Sequence, residues 1–199
     1  MRKTRMKKRL ARKFYTRNTL RIARELLGKY IIRVWRGKKI IGRIVETEAY
    51  VGRHDKASHS YGGRRTDRTD VMYWMGGHAY LYFTYGMHWM FNVVTGNKES
   101  PEAVLIRAVE PVRHSDMNIA RGPAKVARYF HLDRAMNKDD LVASGRLWIE
   151  DWREKPEKIA TSVRIGVDYA GVWAKKKWRF YIAGNPCVSG KMKKLTRAS

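Results

Sequence analysis

Two glutamates lie two residues apart in Ile44-Val45-Glu46-Thr47-Glu48-Ala49-Tyr50. In an extended strand, alternate residues share a face. Ile44, Glu46, Glu48 and Tyr50 are then expected on one side, and Val45, Thr47 and Ala49 on the other. The two glutamate Cα atoms would be roughly 6.5–7 Å apart. Carboxylates held next to an aromatic can activate water. The same spacing also occurs on the wet face of an edge strand whose acids pair with arginines, and spacing alone leaves both readings open. A second concentration of chemistry follows in Tyr80, Tyr82, Tyr85, Trp89 and Phe91. A sheet core favours aromatics, but Tyr85 stands beside Gly86 at a turn, where there is no core to fill. His54, His59, His78 and His88 surround these segments, but no third ligand at a recognisable metal spacing joins them, so they read as ordinary polar histidines. No GxxxxGK[ST] phosphate loop is present.

The surrounding chain is strongly basic. Lys and Arg number 43 against 18 Asp and Glu, a formal net charge of +25. Such a balance marks a protein that meets a polyanion, with DNA or RNA foremost. Carboxylates do not help to bind a polyanion, so Glu46 and Glu48 need a reason to be there, and chemistry performed on the nucleic acid is one. An exposed aromatic on a hairpin tip suits insertion between bases. A membrane surface is the other anionic candidate, but no interfacial amphipathic helix stands out and no apolar run is long enough to span a bilayer. The basic N-terminus has no apolar core after it, unlike a secretory signal. Cys187 is the single cysteine, which excludes an internal disulfide and a cysteine-built zinc site. The setting expected is reducing and intracellular: the cytoplasm and its nucleoid in a prokaryote, the nucleus in a eukaryote.

The elements that must position these residues follow from periodicity and punctuation. Residues 1–13 are a basic arm. A helix is expected from Asn18, with Leu20, Ala23, Leu26 and Leu27 on one face, Asn18 as cap and Gly28 as stop. Strands are expected over 29–35 and 39–50 with Gly37 in the turn, then over 78–85 and 87–94 around Tyr85-Gly86, and over 103–112. Residues 51–76 read as a long, functional loop. Gly122-Pro123 opens a second helix. Strands over 146–152, 158–170 and 177–189 complete the chain before a basic tail, 190–199. Strands outnumber helices and their connections are hairpin-like, so the fold class is α+β, one mixed domain over 14–189 built on a largely antiparallel sheet.

Several motifs, in order, resemble a known family. Glu46-Thr47-Glu48-Ala49-Tyr50, Ser58-His59-Ser60, Tyr85-Gly86-Met87 and Leu105-Ile106-Arg107-Ala108-Val109-Glu110-Pro111 look like the 3-methyladenine DNA glycosylase family, of the alkyladenine DNA glycosylase type. Gly122-Pro123-Ala124-Lys125, Arg164-Ile165-Gly166 and Arg179-Phe180-Tyr181 fit the same family, and the likeness runs from about Phe14 to Ser189. It implies a curved sheet with a protruding hairpin that enters the DNA minor groove. By the same resemblance, Tyr85 is the wedge that replaces an extruded nucleotide. Tyr50, His59 and Tyr82 sandwich the flipped base, and Asn92 crowds out the 2-amino group of guanine. Glu48 activates water, Arg107 helps to hold that water, and the backbone carbonyl of Ile165 is its third contact. Glu46 is left without a role beyond a structural one.

The implied reaction is N-glycosidic hydrolysis of alkylated purines by a monofunctional glycosylase that needs no cofactor and no metal. Its partner is double-stranded DNA containing damaged bases, and the protein acts as a monomer away from membranes. A ring-alkylated purine is cationic and leaves without an added proton, while a carboxylate activates water against the oxocarbenium-like sugar. Flipping costs a few kcal/mol, and stacking on aromatics returns about 1–3 kcal/mol per base. The chain departs from the family pattern at Asp67-Arg68-Thr69, at Gly76-Gly77 and at Cys187, where Pro-Arg-Asn, Pro-Gly and Trp are more frequent. Two other readings fit the charge and the aromatics: a non-catalytic nucleic-acid-binding protein, and a hydrolase or transferase acting on a small substrate.

Overall fold

Apolar residues alternating with polar ones from Tyr30 onward build an antiparallel sheet, and the short helices pack on one side of it. The computed structural model describes residues 7–190. Its strands are β1 (Lys8–Arg9), β2 (Tyr30–Trp35), β3 (Lys38–Tyr50), β4 (Ala79–Thr84), β5 (His88–Thr95), β6 (Glu102–Pro111), β7 (Leu147–Asp151), β8 (Ile159–Ser162) and β9 (Arg179–Ile182). The helices are α1 (Arg12–Tyr15), α2 (Thr19–Glu25) and α3 (Pro123–Tyr129), with short 3₁₀ turns between. No described helix is long and apolar enough to cross a membrane. The strand order is β1-β7-β2-β3-β6-β5-β4, with β9 on β3 and β8 on β9. Every pairing is antiparallel, and the sheet is curved.

Strand β3 organises the molecule. Its first half pairs with β2, joined through Arg36 (φ +48°) and Gly37 (φ +74°), the doubly left-handed turn that matches strand twist. Its second half exchanges β2 for β9, which pairs with residues 46–48. On its other edge β6 pairs with residues 42–50, with register shifts between Ile44 and Glu46 and between Glu46 and Thr47. These irregularities break the strict alternation expected for 44–50. Ile44 and Val45 both enter the main core, so Ile44 does not share the surroundings of the two glutamates. Beyond the shifts the alternation resumes.

The main core lies between the sheet and the helices, around Ile22, Leu26, Leu81, Phe91, Val104, Ile106, Val126 and Phe130. Asn18 caps α2 by accepting from the Arg21 amide, and Gly28 follows with φ +81°. Ala23, Leu26 and Leu27 are buried as expected and Ile22 joins them, whereas Leu20 is only partly covered. The opposite sheet face carries two small clusters, one built on Val71, Met72, Tyr73 and Tyr80 and the other on Ala57, Val167 and Ala170.

Three sequence expectations change. The run 158–170 is a strand only to Ser162, because the buried Arg164 and Gly166 (φ +76°) turn the chain away from the sheet. The run 177–189 is a strand only over Arg179–Ile182, ending before Gly184 (φ +78°). The third concerns how the basic arm attaches: it is not a separate arm throughout, since Lys8–Arg9 pair with β7 and Arg12 bonds the Gly76 carbonyl and Asp140. Residues 1–6 of the arm and 191–199 of the tail lie outside the described residues. The Gly76 departure also has a physical reason. A Cβ there would fall 2.4 Å from the Tyr15 carbonyl oxygen, so α1 can approach only a glycine.

Candidate active site

Side-chain alternation on four adjacent strands gathers the site. Registry places Glu48 opposite Leu105, Leu105 opposite Asn92 and Asn92 opposite Tyr80, one row across β3, β6, β5 and β4. The residues two positions along share that face: Tyr50, Ala103, Arg107, Met90 and Tyr82. The intervening Leu81, Phe91, Val104 and Ile106 point into the main core. The loop 51–76 and the segment 163–174 close over the row, and a cavity of about 280 Å³ remains between them, close to the lower end for small-ligand clefts. Tyr50, His59, Tyr82, Tyr85, Asn92, Arg107 and Ile165 all line it.

Glu48 stands behind this wall with no solvent exposure. Tyr50 Oη donates to its Oε2 at 2.9 Å, the Ile165 amide donates to its Oε1 at 2.8 Å, and Arg107 Nη1 lies 3.3 Å from Oε2. Each of those three residues lines the cavity. Burial raises the Tyr50 pKa well above the usual phenol value, and the neighbouring Glu48 charge adds to it. Burial works against the Arg107 charge, but Glu48 and Glu46 outweigh it and leave its pKa above the ordinary value.

Glu46 is equally buried and is the most heavily bonded acid of the group. It accepts from Arg107 Nε at 3.0 Å, Arg179 Nε at 2.6 Å, the Ser189 amide at 2.6 Å and Ser189 Oγ at 2.9 Å. Glu46 therefore fixes the guanidinium that in turn faces Glu48. The wet edge-strand reading of the two glutamates is excluded by their burial. Breaking a buried pair by removing one partner costs about 3–5 kcal/mol, so the bonds to Glu46 tie β3, β6, β9 and the Ser189 segment together.

A third buried acid ties down the two loops that roof the cavity. Asp55 accepts both Nη1 and Nη2 of Arg164. Arg164 also donates to the carbonyls of Ala49 and Trp173, and its guanidinium lies over the rings of Tyr50 and Trp178. The next residue is Ile165, whose amide holds Glu48. The Asp55–Arg164 pair thus sets the height of that amide above β3.

The aromatic walls are equally constrained. His59 Nδ1 meets Tyr80 Oη at 2.8 Å, and its ring stands edge-on to Tyr82 at 4.6 Å between centroids. Burial lowers the His59 pKa to about 4, with Arg68 and Arg64 acting in the same direction. The imidazole is therefore neutral at neutral pH. Burial pushes the Tyr82 phenol up to about 12, against the nearby Arg68, whose guanidinium lies 4.9 Å from the Tyr82 ring. Asn92 is anchored through its Nδ2 to the Tyr80 carbonyl. Tyr85 sits on the β4–β5 turn, 85% exposed, in a left-handed conformation (φ +51°) that a bulky residue rarely adopts. Among the described residues, no three His, Cys, Asp or Glu converge as metal ligands.

The structure thus brings Glu48, Tyr50, His59, Tyr82, Asn92, Arg107 and Ile165 together, with Tyr85 at the rim. Sequence reasoning gave no site role to Tyr80, Asp55, Ser189, Arg164 or Arg179. Tyr80 was accessible, being two residues before Tyr82 on the same face. Ser189, Arg164 and Arg179 reach the site from distant segments and Asp55 from the loop just after β3, and none carries a local signal.

Comparison with known proteins gives a consistent result. The family model for methylpurine-DNA glycosylase (MPG) matches residues 13–186. A protein of Desulfitobacterium hafniense (strain Y51), provisionally named a 3-methyladenine DNA glycosylase, is 42% identical over 203 residues, spanning 92% of this chain and 100% of its own length. Relatives with the same provisional name from Borrelia garinii subsp. bavariensis and Clostridium acetobutylicum are 44% and 40% identical, spanning 89% and 90% of this chain and 98% and 97% of their own. Matched over most of its length by the family model and by relatives at this identity, the chain belongs to the methylpurine-DNA glycosylase family.

Proposed function

We propose that this protein is a monofunctional, monomeric DNA repair glycosylase that flips 3-methyladenine and related alkylated purines out of duplex DNA and hydrolyses the N-glycosidic bond. The observation that carries the reading is the juxtaposition of a buried, three-fold-anchored carboxylate, Glu48, with a cavity walled by Tyr50, His59 and Tyr82. An alkylated purine is cationic, and aromatic faces attract cations. A neutral His59 adds a wall without adding repulsion. Asn92, held rigid by the Tyr80 carbonyl, disfavours a base that carries a 2-amino group.

In the reaction, Glu48 takes a proton from a water positioned by Arg107 and by the Ile165 carbonyl. The water attacks the anomeric carbon from the face opposite the departing base. The base leaves on its existing positive charge, so no acid is required. Arg107 and the Ile165 amide keep Glu48 oriented, and Glu46 keeps Arg107 in place. Tyr85 fills the gap left in the duplex, and surface cations track the phosphates.

The test is release of free 3-methyladenine from alkylated duplex DNA. Glu48→Gln keeps the shape and removes the base, so release should fall by at least about a hundredfold, as expected for a lost general base, with lesion binding retained. If the wild-type protein binds DNA and releases no base, the non-catalytic reading replaces this one.

A further inference from the structure

A second concave site lies at the opposite end of β3. Its floor is aliphatic, formed by Ile40 and Ile41 of β3, Val112 just after β6, and Ile119, with the Tyr129 ring as one wall. Its volume is about 700 Å³, larger than the cavity at Glu48. Its rim is cationic or histidine throughout: Lys39, Arg113, His114, Arg128 and His131, all exposed. No salt bridge among the described residues includes Lys39, Arg113 or Arg128. The one acid in the adjoining loop, Asp116, turns its Oδ1 to the Asn118 amide. From Ile40 to Glu48 the strand runs on the order of 25 Å, so the groove lies beyond the catalytic pocket.

Charge and shape restrict what can occupy it. Segments 1–6 and 191–199 of this chain contain no Asp or Glu, so neither complements the rim. A second copy carries the same +25 charge and is repelled. A duplex offers phosphates and base edges, which an aliphatic floor does not meet, and unpaired bases would need aromatic platforms that the floor lacks. Tyr129 does not supply one, because its hydroxyl is tied to the Ile41 carbonyl and His114 stands edge-on to its ring. What remains is an extended segment with several carboxylates and an apolar anchor.

We infer that this groove is a docking site for an acidic peptide segment of a partner protein, its carboxylates on Arg113, Arg128 and Lys39 and its apolar residues on the isoleucine floor. Rim charges of this kind set encounter rate and specificity, while the buried apolar contact sets residence. Because the groove is remote from the pocket, partner and DNA are held together.

Fluorescence polarisation tests this with a labelled peptide of four Asp followed by two Leu. Arg113→Glu with Arg128→Glu should weaken binding by about tenfold or more, as for close interfacial charge pairs. Arg153→Glu with Lys158→Glu, the same change in net charge at exposed positions elsewhere, should leave it within about twofold. Replacing Leu by Ser in the peptide should also weaken binding, and a saturating lesion-containing duplex should not displace it. Equal loss in both double variants would reduce the effect to bulk charge and overturn the site. Displacement by duplex would make the groove part of the DNA surface and overturn it too, as would a single-stranded oligonucleotide that loses affinity with the groove variant while the peptide does not.

Discussion

At the scale of single residues, the two glutamates are chemically identical and two positions apart, yet they do different work. Their partners separate them: Glu48 meets cavity-lining groups, while Glu46 meets Arg179 and Ser189 from the far end of the chain. The face they share was legible from strand alternation. Their division of labour was not, because nothing local announces a donor more than a hundred residues away. His59 illustrates a property that only packing creates. Its folded pKa of about 4 lies below the unfolded value near 6.5. The unfolded chain therefore binds the proton first. The stability this residue contributes is complete above about pH 6.5 and is lost progressively as pH falls toward 4. Arg64, Arg68, Tyr80 and Tyr82 are the titratable or charged groups around it, and the two arginines reinforce the neutral form. Release of 3-methyladenine measured between pH 5 and 8 should accordingly show no inflection near 6.5. A fall centred there that disappears in His59→Phe would sink the assignment of a neutral imidazole.

At the scale of elements, strands β2 to β6 were readable because alternation and turn residues agree there. The C-terminal third was less so. The run around Ile159–Ala170 looks extended, yet Arg164 has to leave the sheet to reach Asp55, and Ile165 has to lend its amide to Glu48. The register shifts around Glu46 were also invisible, since a bulge depends on which strands lie alongside. The β4–β5 hairpin shows the reverse case, where a local signal sufficed: an aromatic next to glycine at a turn is exposed. Its tip exposes Tyr85 on a left-handed backbone, in a turn closed by the Met87 amide on the Thr84 carbonyl. Tyr85→Ala should abolish the signal of a fluorescent base analogue at the lesion. It should also weaken lesion binding by roughly 5- to 150-fold, the equivalent of one stacking contact of about 1–3 kcal/mol. An unchanged flipping signal would remove the residue from the wedge role.

At the scale of the whole molecule, the net charge of +25 and the buried acids are reconciled by location. Glu46, Glu48 and Asp55 are withdrawn from solvent and matched by Arg107, Arg179 and Arg164, so the field felt by DNA is left positive. Phosphate contacts release counterions, and six to ten of them would give a log–log slope of roughly −5 to −9 in salt. Titrating an undamaged duplex across 50–200 mM salt should show that steep dependence, and a flat line would contradict an electrostatic grip on the backbone. One bond described above reaches further than the site it serves. The Ser189 amide closes on Glu46, 143 positions earlier. A domain folds as a unit during synthesis, and here the unit closes only when β9 has paired with β3 and Ser189 has reached Glu46. Until then Glu46 lacks two of its donors, the Ser189 amide and hydroxyl. The pocket near the start of the chain is therefore finished only by its C-terminal end.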